Sequence, residues 1–284
     1  MTAKGAAMKR TPAIVAVLAS FVVFAGCSSP QGTSPTTASS APASVSSPLS
    51  LVVIGDSIPY NSQQDCPSCR GFVTQYADAL AKATGREVTL KNRSTHTGAT
   101  VPDLLADLPG LQAELTTADA IIVGIAHNSF PLNEETPCGS PVDRLSGVIK
   151  DWSKVDQACA TASVKTYRPM YDELFATVAG WRTGKPTILR TINRYNDWVG
   201  SEQLTLTPEQ AVKTVVLQDA WNTMLCESAE ASGFTCIDVY HAFNGADGSK
   251  PSADLLAADY THPSQRGNDE IARLLAAKGF APLG

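Results

Sequence analysis

The chain has 284 residues, a length that allows one or two folded domains. Hydrophobic residues make up 43% of it, which is enough for a sizeable core. Its formal net charge of −5 argues against the basic surface that nucleic acid binders carry, so no nucleic acid partner is expected.

Residues 1–26 have the pattern of a signal peptide. Basic residues precede an apolar stretch from 13 to 24, which has the length of a secretory signal and is too short to span a membrane. Small residues then lead into Cys27 and resemble a bacterial lipobox, in which cleavage leaves the cysteine as the acylated first residue. We therefore expect removal of residues 1–26 and lipidation of Cys27, with a plain signal peptide as the alternative.

Residues 27–48 consist almost entirely of Ser, Thr, Pro, Ala and Gly. Such a segment cannot bury enough apolar surface to offset its ordering entropy, and it predicts a flexible tether. The folded domain is then expected at 49–284. These patterns predict an extracytoplasmic protein that is held at the bacterial cell membrane through its lipid anchor only, or is secreted.

The folded region alternates short apolar runs with segments of helical periodicity. Apolar runs predict five buried strands, at 51–54, 87–90, 118–125, 186–192 and 234–239. Apolar residues at helical spacing predict helices at 72–83, 101–115, 171–181, 207–233 and from 263 onward. Strands that alternate with helices indicate an α/β fold, with a mainly parallel sheet covered on both faces.

Three details of the pattern are more specific. Pro109 and Gly110 predict a break within 101–115, which is expected to form one or two short helices. The segment 130–165 is long, polar and contains cysteines, and it predicts an insertion over the strand ends. The segment 59–70 is polar and predicts a loop.

Six cysteines remain when Cys27 is set aside, and an even number in an exported chain suggests structural disulfides. The sequence does not determine their connectivity. Pairing sequence neighbours is the simplest choice and gives Cys66–Cys69, Cys138–Cys159 and Cys226–Cys236. The Cys-Pro-Ser-Cys segment could instead be a redox motif or half of a zinc site, but no second matched pair has that spacing.

The sequence Gly-Asp-Ser that ends in Ser57 directly follows the first apolar run. A serine at the carboxyl end of a strand lies where open α/β sheets place their sites, so Ser57 is a candidate nucleophile and needs a histidine to take its proton. The best partner is His262, in a turn before the last predicted helix. Asp259 could hold its imidazole in the tautomer whose free nitrogen accepts the serine proton, or could simply cap the helix.

These blocks resemble the SGNH, or GDSL-type, hydrolase family. That family has Gly-Asp-Ser after the first strand, a glycine in a second block, an asparagine in a third and Asp-x-x-His near the C-terminus. The corresponding residues here are Ser57, Gly98, Asn128 and the pair Asp259 and His262, in the same order. The chain departs from the pattern in two places. A serine follows the asparagine where the family commonly has aspartate, and the second block is one residue longer.

The resemblance implies a flavodoxin-like three-layer α/β/α sandwich with a five-stranded sheet. It also implies a serine esterase or lipase with Ser57, His262 and Asp259 as catalytic residues. The backbone N–H groups of Ser57 and Gly98 and the side-chain amide of Asn128 would then form the oxyanion hole. No cofactor and no metal are expected.

The other histidines have less specific surroundings. His127, beside the asparagine of the third block, lines the pocket or packs at a strand end. His96 is expected to be a loop side chain, and His241 is expected to be structural.

The expected substrate is a small ester or an acylated carbohydrate. Two alternatives stay open. The same fold could transfer the acyl group to a sugar hydroxyl or deacetylate a polysaccharide. An exported, tethered α/β protein could also bind a ligand without any chemistry.

Overall fold

The computed structural model describes residues 47–133, 138, 142–143, 148–149, 151–201 and 204–284. The predicted signal peptide at 1–26, Cys27 and nearly all of the predicted tether at 27–48 lie outside these residues. Among the helices of the described residues, none combines the length and the apolar character needed to cross a bilayer.

Within the described part of the chain, seven strands form two sheets. In chain order they are β1 (Leu49–Gly55), β2 (Val88–Asn92), β3 (Ala120–Gly124), β4 (Val142–Asp143), β5 (Val148–Ile149), β6 (Ile188–Ile192) and β7 (Thr235–Ile237). The main sheet has the order β2-β1-β3-β6-β7, and all its pairings are parallel. The strands β4 and β5 form a separate antiparallel pair. The order of the five parallel strands is that of flavodoxin-like folds.

Helices cover both faces of the main sheet. They are α1 (Ser57–Tyr60), α2 (Phe72–Thr84), α3 (Val101–Thr117), α4 (Gln157–Gly180), α5 (Pro208–Ala231), α6 (Val239–Asn244) and α7 (Gln265–Ala277). One core contains side chains of α3, α4 and α5, and the other contains side chains of α2, α6 and α7. The expected three-layer sandwich with five main strands is therefore confirmed.

Alternation along β1 explains how a single strand serves both cores. Val52 and Ile54 belong to the first core, whereas Leu51 and Val53 belong to the second. All four side chains are fully buried. Successive residues of a strand point to opposite faces, so an uninterrupted apolar run is the pattern of a strand with a helix layer on each side.

The helix α3 is continuous, and the expected break at Pro109 is wrong. Proline lacks a backbone N–H group, so the helix loses one hydrogen bond. The carbonyl that loses its donor, and that the proline ring crowds, belongs to the residue four positions earlier. Leu104, Leu108 and Leu115 are buried along one side of α3 and hold both halves against the sheet. Packing therefore overrides the local preference for a break.

The segment 130–165 is only partly an insertion. Its last residues already belong to α4, which begins at Gln157 after Asp156 accepts a hydrogen bond from the backbone N–H of Cys159 at 2.8 Å. The bridge Cys138–Cys159 ties the segment to the first turn of that helix. The structure also contains the bridges Cys66–Cys69 and Cys226–Cys236.

Candidate active site

The turn that carries the candidate nucleophile, Ser57, begins where β1 packs closely against β3. At Gly55 φ is +155°, and a Cβ atom there would lie 2.0 Å from the backbone oxygen of Gly124. The next backbone N–H, of Asp56, donates to that same oxygen at 2.9 Å. Only glycine fits such an approach, and it lets the chain leave the strand sharply. Ser57 then opens the short helix α1 at the carboxyl edge of the sheet.

Asp56 fastens this turn to the segment that follows β3. Its side chain is fully buried, and its carboxylate accepts the backbone N–H of Ile58 at 3.0 Å and those of Ala126 and His127 at 3.1 Å each. Burial raises the pKa of Asp56 more than these N–H groups and the charge of His262 lower it. This role of Asp56 was not predicted from the sequence, although Asp56 is the aspartate of the Gly-Asp-Ser motif.

The turn before α7 presents His262 to the serine. Both carboxylate oxygens of Asp259 are used: one accepts the backbone N–H groups of Thr261 and His262 at 3.0 Å, and the other lies 2.5 Å from Nδ1 of His262. The Nε2 atom of His262 lies 2.9 Å from Oγ of Ser57. Tyr260 has φ +58°, a left-handed conformation that is unusual for a tyrosine and that shapes the turn.

The surroundings of His262 favour its charged form. Burial lowers the pKa of His262, but the hydrogen bond and charge of Asp259 and the charges of Asp65 and Asp56 outweigh it and raise the pKa overall. Burial raises the pKa of Asp259, but its hydrogen bonds to His262 and Thr261 have the larger effect, so this pKa is lowered overall. An ionised Asp259 accepts from Nδ1, so a neutral imidazole has its lone pair on Nε2, toward Ser57.

Of the residues expected in the oxyanion hole, Gly98 and Asn128 lie at the same loop. The backbone N–H of Ser57 is in the first turn of α1, where it has no acceptor within the helix. Gly98 is exposed with φ +75°. The side-chain amide of Asn128 donates to the backbone oxygen of Ala99 at 2.9 Å, which places it beside the Gly98 loop.

Two further bonds fix that loop. The backbone N–H of Thr95 donates to the backbone oxygen of Gly55 at 3.0 Å, next to the nucleophile turn. The hydroxyl of Ser129 accepts the backbone N–H of Val101 at 2.8 Å, at the start of α3. The serine that departs from the family pattern therefore joins the third block to the second.

His127 is buried and packs on the side of the site nearest β6. It is 5% exposed, and its ring centroid lies 4.5 Å from that of Tyr195. Burial, assisted by the charges of Arg194 and His262, holds the pKa of His127 well below its usual range. The hydroxyl of Tyr195 donates to the backbone oxygen of Thr261 at 2.6 Å and so supports the His262 turn.

A second histidine and aspartate, whose place the sequence did not reveal, lie beside the first pair. The Oδ2 atom of Asp65 lies 2.7 Å from Nε2 of His96 and 3.5 Å from Nε2 of His262. The ring of Tyr60 stacks on that of His96 with centroids 5.5 Å apart. Of the described residues, only Asp65, His96 and His262 gather three groups that could hold a metal ion. His241 instead pairs with Asp238, the residue that caps the start of α6.

The sequence and the fold both have known counterparts. The model of the GDSL-like Lipase/Acylhydrolase family matches residues 53–270. The lipase Lip_vut3 from a goat rumen metagenome is 19% identical with a TM-score of 0.62, over 83% of this chain and 100% of that one. The extracellular lipase of Streptomyces rimosus is 15% identical with a TM-score of 0.54, over 81% of this chain and 99% of that one. The acetyl xylan esterase AlAXEase is 12% identical with a TM-score of 0.52, over 82% and 100%.

At these identities the three structures establish the fold alone. The chain has no significant match among curated proteins. The family model itself covers most of the chain, from within β1 to within α7, and spans Ser57, Asp259 and His262. The chain therefore belongs to the GDSL-like lipase/acylhydrolase family and is an ester hydrolase of the esterase or lipase type.

Proposed function

We propose that the protein hydrolyses carboxylic esters through an acyl-enzyme on Ser57. The observation that carries the proposal is the unbroken chain from Oγ of Ser57 to Nε2 of His262 at 2.9 Å, and from Nδ1 of His262 to Asp259 at 2.5 Å. Nucleophile, base and orienting group at these distances are the arrangement that serine hydrolysis requires.

The reaction proceeds in two halves. In the first, Oγ of Ser57 attacks the ester carbonyl while Nε2 of His262 takes its proton. The tetrahedral intermediate then collapses, and His262 returns the proton to the departing alcohol. In the second half His262 takes a proton from water as the water oxygen attacks the acyl-enzyme carbonyl. The bond to Oγ of Ser57 then breaks, His262 returns the proton to Oγ, and the carboxylic acid leaves. Asp259 stays ionised throughout and stabilises the imidazolium.

The charge that develops on the carbonyl oxygen needs fixed donors. We assign this role to the backbone N–H groups of Ser57 and Gly98 and to the side-chain amide of Asn128. The bond from Asn128 to Ala99 supports the assignment, because it holds the amide at the Gly98 loop. One such donor contributes about 3–4 kcal/mol to the transition state, so Asn128→Ala should lower kcat by roughly 10²–10³-fold.

The test of the mechanism is the Ser57→Ala variant, assayed with short p-nitrophenyl esters and with a fluorophosphonate probe. Turnover should fall by roughly 10⁴-fold or more, and labelling should disappear, while the circular dichroism spectrum stays unchanged. The control is Ser249→Ala, which removes an exposed hydroxyl outside the site and should retain both signals. Full turnover by a clean Ser57→Ala preparation would exclude the proposal.

The proposed substrate is a small ester or an acylated carbohydrate. The exposed ring of Tyr60, 46% accessible and stacked on His96 beside the site, supports a substrate with a flat face such as a sugar ring. The test compares acetylated sugars with p-nitrophenyl esters of increasing chain length. Tyr60→Ala should raise KM for the sugar esters more than for p-nitrophenyl acetate. Equal changes for both would remove Tyr60 from the substrate site.

We also propose that the protein acts outside the cytoplasm, held by a lipid on Cys27. The support is the apolar stretch from 13 to 24 and the small residues before the cysteine. Detergent phase separation tests it. The wild-type protein should enter the detergent phase and Cys27→Ala should stay in the aqueous phase. Equal partitioning of the two proteins would favour a plain signal peptide.

A further inference from the structure

Three side chains with metal-binding atoms converge at the histidine of the site. One ligand atom each from Asp65, His96 and His262 lies within 4.8 Å of the other two. They come from three separate parts of the chain: the loop after α1, the loop after β2 and the turn before α7. Only the last of them belongs to the proposed catalytic triad.

The distances are close to those of a tetrahedral metal site. Zinc bonds of about 2.0–2.1 Å to nitrogen and oxygen place neighbouring ligand atoms of a tetrahedron about 3.3 Å apart. Oδ2 of Asp65 and Nε2 of His262 are 3.5 Å apart, which already matches. Oδ2 of Asp65 and Nε2 of His96 are 2.7 Å apart, so entry of an ion requires that pair to open by about half an ångström.

The ligands are also oriented by neighbours. Asp259 accepts from Nδ1 of His262, which leaves Nε2 as the metal-binding atom and gives the carboxylate–histidine arrangement common around zinc. The ring of Tyr60 stacks on His96. The bridge Cys66–Cys69 immediately follows Asp65 and constrains its loop. The three candidate ligands and the residues that contact them are therefore already held in place by the fold.

We propose that a divalent ion of the zinc class binds Asp65, His96 and His262 and switches the enzyme off. Neutral imidazole has one lone pair on Nε2. In the active arrangement this lone pair accepts the proton of Ser57, 2.9 Å away. In the metal-bound arrangement it is donated to the ion, so His262 cannot act as a base. Three protein ligands leave a fourth position for water or for the hydroxyl of Ser57.

The experiment titrates Zn²⁺ into the full chain after metal removal with EDTA. Ester turnover of each variant is normalised to its own metal-free rate, and isothermal calorimetry measures binding without any turnover. The wild type should bind one ion and lose its activity, and EDTA should restore it. His96→Ala and Asp65→Asn should each raise the half-inhibiting zinc concentration about 10-fold or more. His241→Ala removes the histidine of another His–Asp pair, far more exposed, and should respond as wild type.

The inhibition rests on the proposed role of His262, whereas the binding does not. One bound ion with unaffected turnover would therefore refute the switch and question the catalytic role of His262, while leaving the metal site in place. Wild-type zinc sensitivity in both His96→Ala and Asp65→Asn would overturn the site. Asp65→Asn is nearly isosteric and keeps the test valid even where His96→Ala folds poorly. Absence of binding by calorimetry at millimolar zinc would overturn the whole proposal.

Discussion

Replacement of Asp56 tests how the nucleophile is held. The buried carboxylate accepts three backbone N–H groups, from Ile58 at 3.0 Å and from Ala126 and His127 at 3.1 Å each. An Asp56→Asn side chain has the same shape but only one acceptor oxygen, and its NH₂ group must face at least one of these donors. At least one buried N–H group therefore loses its acceptor.

The expected loss of stability follows from the number of buried N–H groups that lose their acceptor. A buried donor left without a partner costs about 1–3 kcal/mol, and a hydrogen bond to a charged group contributes about 1.5–3 kcal/mol. Removal of a charge from the interior, whose burial raises the pKa of Asp56, offsets part of this loss. We expect the free energy of unfolding to fall by about 2 kcal/mol, out of a typical 5–15 kcal/mol. For a domain of this size the Tm should fall by about 4–8 °C.

Thermal unfolding followed by circular dichroism measures the loss, and the rate of fluorophosphonate labelling reports on Ser57. Labelling of Asp56→Asn should slow at temperatures where the protein is still fully folded, because the turn is no longer fastened to the segment after β3. The control is Asp103→Asn, an exposed carboxylate that accepts the backbone N–H of Thr100 at 2.9 Å in a helix cap. It should cost about 1 kcal/mol or less and leave labelling unchanged. A wild-type Tm for Asp56→Asn would refute the reasoning.

The remaining predictions concern pH, the close strand approach and one disulfide. Burial lowers the pKa of His262 but its carboxylate neighbours raise it overall, so the pH at which kcat/KM rises should lie above the ordinary histidine pKa. In pH–rate profiles Asp65→Asn should move this rise to lower pH, and an unmoved profile contradicts the role of that charge. Gly55→Ala forces a Cβ atom against the backbone of β3 and should cost about 3 kcal/mol, read from the urea midpoint, whereas an unchanged midpoint contradicts the close approach. Replacing Cys138 and Cys159 by serine opens a bridge of sequence separation 21 and should cost about 3 kcal/mol in urea unfolding; equal stability of the two proteins speaks against the bridge.

Local sequence signals predicted the main strands and helices well, because these elements depend on residues that are close together in the sequence. The strands β1 and β3 are continuous apolar runs, and every residue of β3 is buried. The start of α5 was readable because Thr207 and Gln210 form a capping box, with the hydroxyl of Thr207 accepting the backbone N–H of Gln210 at 3.2 Å. The alternation of such elements leaves few topologies, and the confirmed sandwich is one of them.

The features that were predicted wrongly or not at all depend on contacts between segments that are distant in the sequence. Local preference predicts a break at Pro109, and only the buried side of α3 against the sheet removes it. Asp65 and His96 are separated by 31 positions in two polar loops, and neither loop has a periodicity that predicts their meeting. A motif in the sequence identifies residue types, whereas the side chains that come to lie around them depend on how loops fold over one another.

The meeting of Ser57 and His262, 205 positions apart, is a consequence of how α7 packs. The buried Asn268 of α7 accepts the backbone N–H of Phe72, the first residue of α2, at 3.0 Å and donates to the backbone oxygen of Pro263 at 3.1 Å. The fully buried Ile271 and Leu275 add about 1.5–3 kcal/mol each.

The contact between Ser57 and His262, by contrast, is one hydrogen bond and contributes about 0.5–1.5 kcal/mol. Packing of α7 therefore dominates, and the histidine turn stays in place when the serine hydroxyl is removed. For this reason loss of activity in Ser57→Ala reports on chemistry and not on folding. The same reasoning makes His262 a ready metal ligand, because its ring is held at the site whether or not Ser57 occupies its Nε2.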